Sequence, residues 1–193
     1  PQGVSRVAEM LSGLSGLEGE PSPQMEELDL SECGGGDAGA SALAAMVASN
    51  GHLTVLRADE CGLCSAAGDG HDHADKGIEE LADALAQNSS LTELHLESNG
   101  IPSRSAHRFA MGLAENESLT KLNLRCNKVG MARSAVNELL AVLRSNATLE
   151  EVELGGNPLG DGAIGALQEW KVARAQRQAQ MLEAGPQLLH IGD

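Results

Sequence analysis

A nine-residue pattern returns five times along this 193-residue chain, and no other feature restricts the fold as much. Met25-Glu26-Glu27-Leu28-Asp29-Leu30-Ser31-Glu32-Cys33 recurs at Leu53 to Cys61, Leu91 to Asn99, Leu119 to Asn127 and Leu149 to Asn157. Positions one, four and six are apolar in every copy, with Ala58 the one small residue, and position nine is Asn or Cys. The copies start 28, 38, 28 and 30 residues apart, which gives a unit of 28 residues with ten extra in the second. A period of this length implies a stack of one supersecondary unit, because one unit cannot bury its apolar face alone.

Within each unit the periodicity changes. Positions four to six alternate, as in a half-buried strand. The residues that follow repeat at i, i+3, i+4 and i+7: Ala40, Leu43, Ala44, Val47; then Ile78, Leu81, Ala82, Leu85; Ala106, Phe109, Ala110, Leu113; and Val136, Leu139, Leu140, Leu143. That spacing is one buried helix face. Four of the units close with Asn, at Asn50, Asn88, Asn116 and Asn146. Strand, turn and helix returning to a parallel strand make a right-handed crossover. Strands lie about 4.8 Å apart and helices about 8–10 Å apart. A stack of both must therefore bend, with strands inside and helices outside. Five strands make a sheet only about 20–25 Å wide, hence a short arc.

The pattern L-x-x-L-x-L-x-x-N/C is the signature of a leucine-rich repeat. The long unit, with its helix-ending Asn-x-Ser/Thr-Leu link, resembles the ribonuclease-inhibitor type over residues 25 to 167. LTELHLESNGI (91–101), LAENESLTKLNL (113–124) and LRSNATLEEVELGGNPLG (143–160) are similar to the repeat domain of tropomodulins, which cap actin pointed ends. The same class includes Ran GTPase-activating proteins, which have more repeats. The resemblance implies an α/β fold, a right-handed leucine-rich-repeat solenoid shaped as a short horseshoe arc. It also implies a protein-binding scaffold without catalysis or cofactor, and the alternatives of a cytoskeletal, actin-associated protein or a GTPase regulator.

The organisation expected is three-part. Residues 1–24 carry Val4, Val7, Met10, Leu11, Leu14 and Leu17 at helical spacing before Pro21-Ser22-Pro23, as an N-terminal cap or the helix of an earlier repeat. Residues 25–167 are the five repeats, with an insertion at 64–75 (CSAAGDGHDHAD) rich in Gly, Asp and His. Residues 168–193 are a polar capping helix and tail, in which Trp170 seals the last layer and Gly185-Pro186 ends the helix. Ile164 and Leu167 continue the apolar stripe into that last unit.

One Phe, one Trp and no Tyr leave a core of Leu, Val, Ile, Met and Ala, which suits thin stacked layers. No run of 18 apolar residues spans a membrane. A net charge of −15 disfavours nucleic acid and anionic membrane and favours a basic protein partner, met alone or within a larger complex. The chain starts at Pro1 without a leader pattern. Its four cysteines read as reduced, with Cys33 and Cys61 as buried residues of the repeat. A cytoplasmic, or cytoskeletal, setting is the expectation.

Several local motifs compete with the repeat. Asn99, Asn127 and Asn157, like Cys33 and Cys61 in the same place, form a structural ladder that satisfies inward-pointing backbone groups. Gly34-x-Gly36-x-x-Gly39, with Asp59 twenty residues on, has the form of a dinucleotide fingerprint. The strand before it alternates with acids, and the same strand-turn-helix recurs without the glycines, so it reads as a repeat loop. Cys61, Cys64, His71 and His73 have zinc-ligand chemistry in a spacing that fits no zinc finger well, so no metal is assigned. Asn88, Asn116 and Asn146 open glycosylation sequons at one repeat position, and the repeat's turn explains them.

Residues between the buried strand positions face the concave side. The four columns are Glu27, Val55, Glu93, Lys121, Glu151; then Asp29, Arg57, His95, Asn123, Glu153; Ser31, Asp59, Glu97, Arg125, Gly155; and Glu32, Glu60, Ser98, Cys126, Gly156. Nine acids against Arg57, Lys121 and Arg125 make this a docking face for a basic helix or tail. The nine are Glu27, Asp29, Glu32, Asp59, Glu60, Glu93, Glu97, Glu151 and Glu153. Without aromatic anchors, its affinity should be modest and salt-sensitive.

Overall fold

The alternating stretch of each repeat forms a three-residue strand, and the next apolar stripe forms a helix. A computed structural model describes residues 25–64 and 75–184. Strands β1 (Glu27–Asp29), β2 (Val55–Arg57), β3 (Glu93–His95), β4 (Lys121–Asn123) and β5 (Glu151–Glu153) make one parallel sheet in sequence order. Helices α1 (Gly36–Ser49), α2 (Lys76–Gln87), α3 (Ser103–Glu115), α4 (Arg133–Ser145) and α5 (Asp161–Ala184) alternate with them, and a 3-10 turn, Val129–Met131, precedes α4. The register sets Glu27 beside Val55, Val55 beside Glu93, Glu93 beside Lys121 and Lys121 beside Glu151, as aligning the repeats requires.

The core runs between sheet and helices. Position four is buried in each copy, at Leu28, Leu56, Leu94, Leu122 and Val152. Facing it are the helical stripes, with Phe109, Leu43, Ile78, Leu81 and Leu139 fully buried. Burying one such side chain contributes about 1.5–3 kcal/mol, so each added repeat stabilises its neighbour through this interface. The first three helices approach each other closely at two glycines. A Cβ on Gly77 would overlap the backbone of Asp37 and Ser41, and one on Gly112 would overlap the Ala82 carbonyl.

Two asparagine ladders tie successive repeats together. On the strand side, Asn127 Oδ1 accepts from the Asn99 and Ile101 N–H groups (3.0 and 2.9 Å), while its Nδ2 donates to Leu96 O (2.9 Å). Asn99 does the same for Cys61 N, Leu63 N and Ala58 O, and Asn157 for Val129 N and Leu124 O. Cys61 holds the equivalent place with a thiol that donates to Leu30 O at 3.0 Å. On the helix side, Asn88 Nδ2 donates to Val47 O and Asn50 O, Asn116 Nδ2 to Leu85 O and Asn88 O, and Asn146 Nδ2 to Leu113 O and Asn116 O.

The last helix closes the second ladder with other side chains. Trp170 Nε1 donates to Leu143 O at 2.5 Å, and Arg174 Nη2 donates to Asn146 O at 2.6 Å. These two carbonyls correspond to the pair that each ladder asparagine satisfies one repeat earlier. Trp170 and Arg174 thus share the work of the asparagine that a further repeat would supply.

Four expectations change. Cys33 is exposed, not buried, because its place in the ladder reaches back to a preceding repeat and none precedes it among the described residues. Ile164 is 42% exposed, whereas Leu167 is buried. The division expected at 168 falls inside one continuous helix, α5. Cys64 and Asp75, the ends of the insertion, are buried parts of the fold. The readings for 1–24, 65–74 and 185–193 lie outside the described residues, among which no helix is long and apolar enough to cross a membrane.

Candidate protein-binding face

The concave columns are set by the strand register and by the turn that follows each strand. Position eight takes a left-handed backbone in all five copies: Glu32 (φ 62°), Glu60 (55°), Ser98 (56°), Cys126 (53°) and Gly156 (76°). Only the last is glycine, although a non-glycine residue there is disfavoured. The ladder bonds at position nine hold this turn in place. Sequence reading missed it, because glycine, the usual signal of such a turn, stands at this position only in the fifth copy.

The turn directs Glu32 and Glu60 into solvent, where they make no ion pair among the described residues; Glu151 on β5 is likewise exposed and makes no ion pair, with Lys121 beside it in the register. The other six acids have internal partners. Lys121 Nζ meets Glu93 Oε1 at 2.8 Å, Lys171 from α5 meets Glu153 Oε1 at 2.6 Å, and Arg57 lies 3.9 Å from Glu27. Arg125 bridges Glu97 (3.7 Å) and Glu153 (4.0 Å). Asp29 Oδ1 accepts from Ser31 N–H (2.9 Å) and Asp59 Oδ1 from Glu97 N–H (2.6 Å), so both serve turns. The hydrogen bond from Lys121 holds Glu93 below the ordinary carboxylate range, and the Ser31 N–H does the same for Asp29.

His95 sits in the middle of this face, its Nε2 3.6 Å from Glu93 Oε2. A groove of about 290 Å³ runs between Glu93, His95, Lys121, Asn123, Glu151 and Glu153. Val55, although in a concave column, is 8% exposed and belongs to the buried set. The face keeps a negative surplus, concentrated at Glu32, Glu60 and Glu151, around a partly neutralised centre.

The competing motifs resolve into repeat positions. Gly34, Gly62 and Gly100 follow the ladder residue in three copies, all left-handed, and Gly36 adds a second such turn before α1. Asp59, the acid of the fingerprint, already accepts the Glu97 N–H. Cys61 points into the core, and burial raises its thiol pKa. Burial, with the nearby charges of Asp75 and Asp37, pushes the Cys64 thiol up to about 12. His71 and His73 lie outside the described residues.

One arrangement had no sequence signal. Asp75, 3% exposed, accepts two hydrogen bonds of 2.5 Å from Arg104 and one of 2.9 Å from Ser105 Oγ. Burial alone would raise its pKa, but the bonds from Arg104 and Ser105 outweigh burial and hold it low. The bonds fix the far end of the insertion to the first turn of α3. The partners are 29 and 30 residues apart, and no local pattern links them.

A family model described as leucine-rich repeat matches residues 22–44, 87–103, 115–130 and 145–167. Ribonuclease inhibitor from Sus scrofa is 32% identical over 115 residues, 60% of this chain. The match spans only 23% of that relative's length. Among solved structures, leiomodin-1 actin-binding site 2 superposes with a TM-score of 0.67 at 18% identity, covering 93% of this chain and 94% of that one. The C-terminal domain of Caenorhabditis elegans tropomodulin gives 0.64 at 12% identity, covering 94% and 98%. Both share the fold.

Proposed function

We propose that this chain, a leucine-rich-repeat protein of the ribonuclease-inhibitor-like type, is a non-enzymatic scaffold whose concave face binds a basic protein partner. The observation that carries the reading is the negative surplus left after internal pairing. Glu32, Glu60 and Glu151 stand exposed and make no ion pair among the described residues, although Lys121 lies beside Glu151. Partly neutralised acids around them give a partner's lysines or arginines further acceptors, at the cost of exchanging existing pairs. Such a face steers association more than it tightens it. The few apolar groups on it fit a modest affinity that falls with salt.

The test is titration with a lysine-rich amphipathic helical peptide at about 50 mM and about 300 mM salt, spanning roughly a twofold change in screening length. Binding should weaken about tenfold or more at high salt and in the triple variant Glu32→Lys, Glu60→Lys, Glu151→Lys. Glu93 and Glu97 are poorer choices, because reversing them also breaks the pairs with Lys121 and Arg125. Unchanged affinity in the triple variant overturns the proposal.

A cytoskeletal reading draws on the near-complete overlap with the leiomodin-1 and tropomodulin domains. Its test is separate: co-sedimentation with actin filaments, and elongation from their pointed ends. Neither filament binding nor a change in elongation rate at saturating protein would dispose of it.

A further inference from the structure

The arginines of the described residues divide by place. Arg57, Arg104, Arg108 and Arg125 each face a carboxylate. Arg133, Arg144, Arg174 and Arg177 make no ion pair among the described residues, and all four lie on α4 and α5. In a chain of net charge −15, four arginines without ion pairs, gathered on two neighbouring helices, call for a reason. Arg133 stands at the first position of α4, where the helix dipole disfavours a cation.

The same two helices are the least closely packed pair. A cleft of about 620 Å³ opens between them, lined by Met131, Arg133, Val136, Leu140, Arg144 and Asp161, among others. A second cleft of about 240 Å³ shares Arg144 and Ala166 with it and adds Glu169, Trp170, Arg174 and Arg177. Val136, Leu140 and Trp170 are buried side chains of the floor, while Met131 is 74% exposed at the edge. Arg174 is 7% exposed, and its buried Nε lacks a hydrogen-bond partner. Its guanidinium carbon lies 5.9 Å from the centre of the Trp170 ring.

We infer that the α4–α5 cleft is a docking groove for an acidic peptide segment of a partner protein, whose carboxylates meet Arg133, Arg144 and Arg177. Length favours a peptide over a single small anion. Arg133 and Arg144 are eleven residues apart on one helix, about 16 Å along its axis. An extended chain of about five residues spans that distance. Apolar side chains of the segment would lie on Val136, Leu140 and Trp170 between the charged contacts. Arginine suits this role because its planar group stays charged and binds a carboxylate through two donors. Asp161 and Glu169 at the rim repel an acidic segment, but these two carboxylates are outnumbered by Arg133, Arg144 and Arg177. Arg174 belongs to the cap and supports Trp170 from beneath. The groove is separate from the concave face, so one molecule would present an acid-seeking and a base-seeking surface.

The experiment uses the whole chain and two labelled heptapeptides, one alternating Glu and Leu, the other with Gln in place of Glu. Fluorescence anisotropy at about 50 mM salt, where screening is weak, should give saturable binding of the Glu peptide and at least about tenfold weaker binding of the Gln peptide. Amide chemical shifts should move along α4 and α5. Arg144→Glu with Arg177→Glu should abolish binding, while Arg144→Lys with Arg177→Lys should retain part of it. Both positions tested are exposed, and an unchanged melting temperature confirms folding. Equal affinity for the two peptides, shifts confined to the concave strands, or binding unaffected by the Glu variants overturns the inference. Binding of phosphatidylserine vesicles through these arginines without binding of the Glu peptide overturns it as well.

Discussion

At the scale of single residues, the solenoid depends on side chains that bond to the backbone of the repeat before them. Asn127 is buried and makes bonds to five backbone groups. Asn127→Ala leaves several of them without partners, and each buried unsatisfied group costs about 1–3 kcal/mol. A loss of about 3 kcal/mol or more in denaturant unfolding is expected, against less than about 1 kcal/mol for an exposed control such as Glu117→Ala. The Asn role was legible, because Asn recurs at one repeat position and its amide can both donate to and accept from backbone groups. The exposure of Cys33 was not, because it depends on what precedes the first repeat. In the native protein, Cys33 and Cys126 should react with an alkylating reagent well before Cys61 and Cys64. Equal rates for all four thiols would contradict their placement.

At the scale of elements, the helices differ in how they pack although their apolar stripes match. Gly77 and Gly112 let α1, α2 and α3 approach closely. Overpacking at such a contact costs about 1–3 kcal/mol, so Gly112→Ala should lower the denaturant midpoint despite the gain in helix propensity. The final helix seals the array. Trp170 is 7% exposed and donates to Leu143 O, so Trp170→Ala should cost about 3–5 kcal/mol and expose the last layer to a hydrophobic dye. Its cap role was visible in the sequence as a polar helix bearing one Trp. The substitution of an asparagine by Trp170 and Arg174 was not, since neither residue resembles the side chain it replaces.

At the scale of the whole molecule, charge governs behaviour with pH and salt. Asp75, Asp29, Glu80 and Glu93 all have pKa values below the ordinary range. A carboxylate lowered in the folded state adds stability above its unfolded pKa and loses it as pH falls through the folded pKa. For Asp75 that loss begins near its ordinary value of 3.8 and continues below it. Asp75→Asn should melt lower than the parent protein at pH 7, and the two curves should converge as pH falls well below 3.8. A constant difference in melting temperature across that range would show that Asp75 titrates normally.

The sequence by itself determined the repeat length, the order of strand and helix, the parallel register and the four concave columns. A pattern shared by five copies reports what every layer needs, and stacking forces each layer to meet the same requirement. The tertiary structure decided which acids remain unpaired, where the insertion is anchored and how the last helix closes the array. Ion pairs such as Lys121–Glu93 and Arg104–Asp75 join residues 28 and 29 apart in different repeats, where column membership alone does not choose the partner. The choice belongs to side-chain reach and neighbouring geometry, which differ from one layer to the next. The α4–α5 cleft follows from the same difference, because an apolar stripe sets which face a helix buries, while the residues at each contact set how near two helices come.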